Sequence, residues 1–137
     1  MQKVNIKTNS RVDFVDITKE IREIALSTGV KEGVLTLFVP HTTAAVTINE
    51  GADPSVVKDI KFILDKLAPG EDASYEHKEG NSDAHIKASL LGASQQLLIS
   101  EGELLLGTWQ SVFFVELDGP RQRKLYVYLS ELKEVQP

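Results

Sequence analysis

Two stretches of this chain concentrate residue types that handle protons and phosphate groups: PHTTAAVTINEG over residues 40–51 and NSDAHIKASLLG over residues 81–92. If residues 41–49 run extended, His41, Thr43, Ala45, Thr47 and Asn49 point to one side and Ala44, Val46 and Ile48 to the other. One face then packs into a core. The other forms a floor of small polar groups around an imidazole, which suits close approach of a ligand. A strand that needs only solubility more often carries Lys, Glu and Arg there; a plain solvent-facing or interface strand is the competing reading. Glu50 ends the strand, where it can ligate a metal, serve as a base or begin the turn.

In a short helix capped by Ser82 or Asp83 and closed by Gly92, His85 and Ser89 lie one turn apart on one face, with Ile86 and Leu90 on another. Free first-turn N–H groups and the helix dipole favour a phosphate or carboxylate at that end. Asp83 acting only as a cap, and His85 only as a first-turn residue, accounts for the same pattern. The three histidines, His41, His77 and His85, all fall in polar or turn-rich segments. Imidazole works near neutral pH as a base, a phosphate partner or a metal ligand. Three histidines with a carboxylate make a reasonable Zn²⁺ set, but neither HExxH nor H-x-H occurs, so the spacing leaves metal binding open.

A third stretch, GTWQSVFFVELDGPRQR over residues 107–123, places Thr108, Gln110 and Glu116 on one strand face with Val112 and Phe114. Trp109 faces the other way, as a core or subunit-contact aromatic. Polar groups in so apolar a strand need partners if buried. Arg121 or Arg123 can bridge Glu116 or clamp a phosphate bidentately, with a hairpin-rim position as the plainer reading for Arg123.

These residues need elements to hold them. Alternating Val4 and Ile6, then Val12 and Phe14, predict an opening hairpin or a pair of strands joined around Asn9-Ser10. Thr18 is the expected N-cap of a helix over 19–28, stopped by Gly29. Val34 to Val39 reads as a strand ended by Pro40, and residues 42–49 as the next. Asp53-Pro54 opens a helix whose buried stripe is Val56, Ile60, Ile63, Leu64 and Leu67, and Pro69-Gly70 ends it. Residues 70–82 read as a polar loop whose length hints at function. Gln95 to Ser100 pairs back across a Glu101-Gly102 turn. Residues 103–117 would span about 50 Å as one straight strand at ~3.3 Å per residue, so Gly107 is the expected bend. Asp118-Gly119-Pro120 turns the chain into a final strand over Leu125–Leu129. The sum is one α+β domain over residues 1–137, mainly antiparallel strands with two or three helices.

Composition narrows the function classes. The 137 residues are 42% apolar and 26% charged with net charge −5, which fits a soluble protein and lacks the basic stripe of a dedicated nucleic-acid binder. No apolar run reaches the length of a bilayer span. The opening MQKVNIKTNS has no apolar signal-peptide core, so the cytoplasm is the expected location. The lack of cysteine removes disulfides, thiolate nucleophiles and Cys-based zinc sites together. Neither nucleic acid nor membrane is an expected partner.

HTTAAVTINE, the Asp-Ala-His-x-Lys-Ala-Ser-Leu-Leu-Gly stretch of residues 83–92, and GTWQSVFFVELDGPR, in that order, closely resemble the YjbQ family, whose members are also called secondary thiamine-phosphate synthases. The likeness runs over essentially the whole chain. It implies a compact α+β domain with a sandwich-like sheet, assembled as a homotrimer. The implied activity joins a pyrimidine-methyl diphosphate to a thiazole phosphate with release of pyrophosphate, as a secondary reaction of the family. On this sequence the family's polar cluster corresponds to His41, Thr42, Thr43, Asn49 and Glu50, to Asp83, His85 and Ser89, and to Trp109, Gln110, Glu116 and Arg121. His77 fits a third histidine position.

With this resemblance, the expected catalytic residues are His41, Glu50, Asp83 and His85. Substrate binding falls to Thr42, Thr43, Asn49, Ser89, Trp109, Gln110, Glu116 and Arg121. A divalent metal, Zn²⁺ or Mg²⁺, is expected on His41, His77 and His85. Three histidines are a poor Mg²⁺ set, so direct binding of phosphate by the imidazoles is the alternative. The competing function is a non-catalytic trimeric module that binds a small anionic metabolite or a metal.

Overall fold

The structure, a computed structural model, describes residues 1–133 and residue 135. The chain runs β1 (Gln2–Lys7), β2 (Asp13–Asp16), α1 (Thr18–Ser27), β3 (Gly33–Phe38), β4 (Ala44–Glu50), α2 (Pro54–Leu67), α3 (Ser82–Leu91), β5 (Ser94–Ser100), β6 (Glu103–Leu105), β7 (Gln110–Glu116) and β8 (Gln122–Glu131). The strands form two antiparallel sheets, one ordered β1-β8-β3-β5-β6 and the other β2-β7-β4. This is the sandwich-like α+β domain that the resemblance implies.

Period-two alternation builds the main core between the sheets. Leu35, Leu37, Leu97, Ile99, Leu125 and Val127 from the larger sheet meet Ala44, Val46, Val112 and Phe114 from the smaller one, and Ile17, Ile21 and Ala25 of α1 close the flank. A second cluster lies on the other face of the smaller sheet. There Ala45, Phe113, Val115 and Leu117 pack against Ala84 and Ala88 of α3. The small side chains on both partners allow that helix a close approach.

Several local expectations change. β1 and β2 are successive strands but not a hairpin: β1 pairs with β8 and β2 with β7, in different sheets. β7 and β8 likewise lie in different sheets, so the Asp118-Gly119-Pro120 turn is a crossing between layers, not a hairpin. Ile17 occupies the N-cap position of α1, and Asp16 Oδ1 takes the Thr18 N–H at 3.0 Å. Asn81, not Ser82 or Asp83, holds the N-cap position of α3. The α2 stripe is only partly buried, since Leu64 is inside while Ile63 and Leu67 are exposed. The β4 face expected to be a polar floor is instead covered by α3 at Ala45. Other expectations hold. Asp53 caps α2 through Ser55 N at 2.9 Å, and Glu101 and Gly102 make the β5–β6 turn with φ of 52° and 82°. The strand run breaks after Leu105 and resumes at Gln110 in the other sheet, so Gly107 sits where the chain changes layers.

Candidate functional site

Regular alternation sends Glu116 of β7 and Arg123 of β8 into the space between the sheets, at the end where Ala44 pairs with Glu116. The two meet there as a buried, bidentate ion pair through Arg123 Nε and Nη2. Thr8 Oγ1 donates to Glu116 Oε1 at 2.8 Å, and the N–H groups of Leu117 and Asp118 donate to Oε2 at 3.1 Å each. Arg123 Nη2 also reaches Thr43 Oγ1 at 2.9 Å. Burial by itself pushes the Glu116 carboxyl up. The hydrogen bonds from Arg123, Thr8 and Asp118 N–H, with the Arg123 charge, outweigh it and hold the carboxyl below the ordinary glutamate range.

Above this pair lies a polar cleft of two adjoining lobes that share His41, Thr42 and His85. The lobes hold about 320 and 380 Å³, room for a small metabolite. One lobe adds Ser89 and Gly92 from the far end of α3; the other adds Asn81, Glu79, Asp118, Arg121 and Arg123. His41 stands in the β3–β4 connection, and its Nε2 accepts the backbone N–H of Lys124 at 2.9 Å. Burial, then the Arg123 charge, lower the His41 pKa, so the ring is neutral near pH 7. A neutral ring that accepts at Nε2 carries its proton on Nδ1. His41 therefore offers a donor, not a free base.

His85 projects from the first turn of α3, with the His77 ring edge-on to it at 5.1 Å between centroids. Ser89 Oγ donates to the His85 carbonyl at 3.0 Å. Arg121 is half exposed at the cleft wall. Its Nε donates to the Asp118 carbonyl at 2.7 Å and its Nη2 to Asp118 Oδ2 at 3.1 Å. Asn81 Nδ2 donates to the same carboxylate oxygen at 2.9 Å. Burial raises the Asp118 pKa, and the bonds from Asn81 and Arg121 more than reverse it, leaving the group ionised.

The site thus gathers His41, Thr42, Thr43, His85, Ser89, Glu116 and Arg121 at or directly beneath one cleft, with His77 beside it. Five expected residues lie elsewhere. Asn49, Glu50, Trp109 and Gln110 sit at the opposite end of β4 and β7, where Glu50 pairs with Gln110. Six residues of strand separate that end from Ala44, about 20 Å at ~3.3 Å per residue. Gln110 Oε1 is occupied by Gly107 N–H at 2.8 Å, and Trp109 is exposed, not a core aromatic. Asp83 is buried in a salt-bridged tether, 3.1 Å from Arg11 and 3.7 Å from Lys87, outside the cleft lining. Sequence reasoning missed Asn81 and Asp118, whereas of its readings for Arg123 the structure selects the bridge to Glu116 over a hairpin rim. Asn and Asp beside Gly or at a helix start read as turn and cap residues, and only the register exposes their second role.

Among the described residues no three His, Cys, Asp or Glu side chains converge to hold an ion. His41 would have to give up the Lys124 N–H or its Nδ1 proton to ligate.

The fold and site define a class: a two-sheet α+β domain, backed by helices on one side, with a histidine-lined polar cleft at the end of the sandwich. The chain matches the family model described as UPF0047 protein YjbQ-like over residues 2–131, and it belongs to that family. It is 54% identical over 125 residues to UPF0047 protein MJ1081 of Methanocaldococcus jannaschii, covering 91% of this chain and 90% of that one. YugU of Bacillus subtilis is 44% identical over 127 residues, covering 93% and 96%. A crystal structure of a YjbQ/UPF0047 family protein from Clostridium acetobutylicum superposes with TM-score 0.91 at 48% identity, over 95% of this chain and all of that one. A YbjQ-like protein from Sulfolobus solfataricus gives 0.89 at 35% identity, over 95% and 96%. Among the described residues no helix is long and apolar enough to cross a membrane.

Proposed function

We propose that this protein is an enzyme acting on a phosphorylated small molecule in the His41–His85 cleft, by transfer of the thiamine-phosphate-synthase type. In that reaction the thiazole nitrogen lone pair forms a bond to the pyrimidine methylene. The carbon–oxygen bond to diphosphate breaks, and its electron pair leaves on pyrophosphate. The attacking ring nitrogen carries no proton, so no general base is needed. What the step needs is donors for the departing oxygens. The observation that supports this reading most is the His41 ring, held by Lys124 N–H with its proton on Nδ1, in the lining of the cleft that Arg121 also lines. Arg121 uses Nε and one Nη2 bond on Asp118, and its Nη1 group has no partner among the described residues. His85 supplies a second imidazole across the lobe boundary.

The test is turnover of the two phosphorylated substrates by purified protein. His41→Ala is expected to lower it by about 10²–10³-fold, the usual cost of losing one preorganised donor. Binding of both substrates without product in the unaltered protein would replace this reading by the non-catalytic module. Elemental analysis belongs to the same experiment: full turnover by metal-free protein removes the Zn²⁺ or Mg²⁺ part of the expectation. The homotrimer is proposed with it, on the resemblance.

A further inference from the structure

Thr8 stands in the link from β1 to β2, and Arg121 in the link from β7 to β8. The two links are fastened to each other. Thr8 N–H donates to the Arg121 carbonyl at 3.0 Å, and Arg121 N–H donates back to Thr8 Oγ1 at 2.8 Å. Gly119 N–H donates to the Arg11 carbonyl at 2.9 Å. Glycine permits that approach, because a Cβ at residue 119 would stand 2.5 Å from the Ser10 carbonyl oxygen.

Thr8 is buried, and its hydroxyl is used twice. Glu116 is ionised and only accepts, so the single hydroxyl proton goes to Glu116 Oε1 at 2.8 Å. An oxygen lone pair then remains for Arg121 N–H. One side chain thereby joins the carboxylate that holds Arg123 to the backbone of Arg121.

Arg121 is the half-exposed cation of the cleft lining, with Nε and Nη2 held on Asp118. Asp118 lies three residues away in the same link, so that contact sets the shape of the side chain but moves with the link. The bonds to Thr8 and Arg11 fix the link itself against the end of β1. A side chain that meets a ligand is only as well placed as the buried contacts behind it.

We propose that Thr8 is a positioning residue, which sets the Arg121 guanidinium for an anionic phosphate group without itself touching the ligand. This rests on the phosphorylated-substrate reading and deepens it, since the anion-holding machinery then extends to the β1–β2 link. Valine at residue 8 keeps the volume and leaves every charge of the cleft in place. It strips Arg121 N–H of its acceptor and Glu116 of a donor, so the effect is one of placement.

Inorganic pyrophosphate, titrated calorimetrically into the full chain, provides the test. The stoichiometry reports the folded fraction, and the affinity is read apart from it. Thr8→Val and Thr8→Ala are each expected to weaken binding about tenfold, within the coupling found inside one hydrogen-bond network. Thr8→Ser, which restores the hydroxyl, is expected to stay within about twofold of the parent. Leu64→Ala truncates the core outside the cleft lining and is expected to keep the parent affinity although it destabilises the chain. In the unaltered protein pyrophosphate is expected to shift the Arg121 Nε–H proton signal. Binding that leaves this signal unmoved overturns the role of Thr8 and leaves the phosphate site standing. So does parent affinity in Thr8→Val, a Thr8→Ser as weak as Thr8→Val, or an equal loss in Leu64→Ala. If the unaltered protein does not bind pyrophosphate, the phosphorylated-substrate reading falls, and this inference with it.

Discussion

Glu116 and Arg123 are the residues at which stability and site geometry meet. Each comes from a different sheet, and both are inside. Removing one partner strands the other, and an uncompensated buried charge costs about 3–5 kcal/mol. Glu116→Gln is therefore expected to lower the urea-unfolding free energy by an amount in that range. The pH dependence follows from the direction of the shift. The Glu116 pKa is depressed in the folded state, so the unfolded state takes up the proton first. Its stabilising contribution is full above the ordinary glutamate value of about 4.3 and is lost as pH falls through the folded value. Unfolding midpoints measured from neutral pH downward should fall less steeply in Glu116→Gln than in the parent; parallel curves would show that the pair does not control acid stability. The depressed His41 pKa adds a loss of the same sign that begins below about 6.5.

At the scale of the element, α2 shows how far an apolar pattern can mislead. Its 3.6-residue periodicity predicts a buried stripe, but the helix lies over the edge of a small sheet that has little face left to cover. Leu64 and Ala68 reach inside; Leu67 and Phe62 remain in solvent. Leu64→Ala is expected to cost about 2–5 kcal/mol in denaturant unfolding, as core truncations do. Leu67→Ala is expected to stay within about 0.5 kcal/mol. Equal losses would place Leu67 in a core the chain does not show. α3 is the contrasting case: its period-four alanines meet Ala45, and that contact sets His85 at the cleft. Lys87 ties α3 to α2 through Asp65 at 2.6 Å.

For the molecule as a whole, the layers decide which residues become neighbours. The chain passes between sheets by short links at residues 8–12, 39–43, 106–109 and 117–121, and by way of the helices at residues 17–32 and 51–93. The second and fourth of the short links lie at the same end of the sandwich, and they bring His41, Thr42 and Thr43 beside Asp118 and Arg121. The proposed homotrimer has its test at this scale. Sedimentation equilibrium is expected to give three times the mass of the chain, and a concentration-independent single-chain mass would remove the trimer from the proposal.

Much of this was legible in the sequence. Local rules located most elements, because capping Asp53-Pro54, the Glu101-Gly102 turn and the period-two strands act within a few residues of themselves. The three motifs and their order were enough to identify the family. Composition excluded cysteine chemistry outright. The polar character of residues 41–43 and the nearness of His85 were also readable, since both motifs concentrate groups that a plain surface does not require. Tertiary structure alone decided the rest. It divided one expected site between two ends of a strand pair, sending Glu50 and Gln110 to the strand end about 20 Å from Ala44. It buried Arg123 against Glu116, and it turned Asn81 from its own helix toward Asp118. It also fixed the His41 proton on Nδ1 through the Lys124 N–H, 83 positions away in the chain. The reason is physical: propensity and periodicity act over a turn or a strand, whereas a hydrogen-bond partner is chosen by whichever chain segment the sheet order brings alongside.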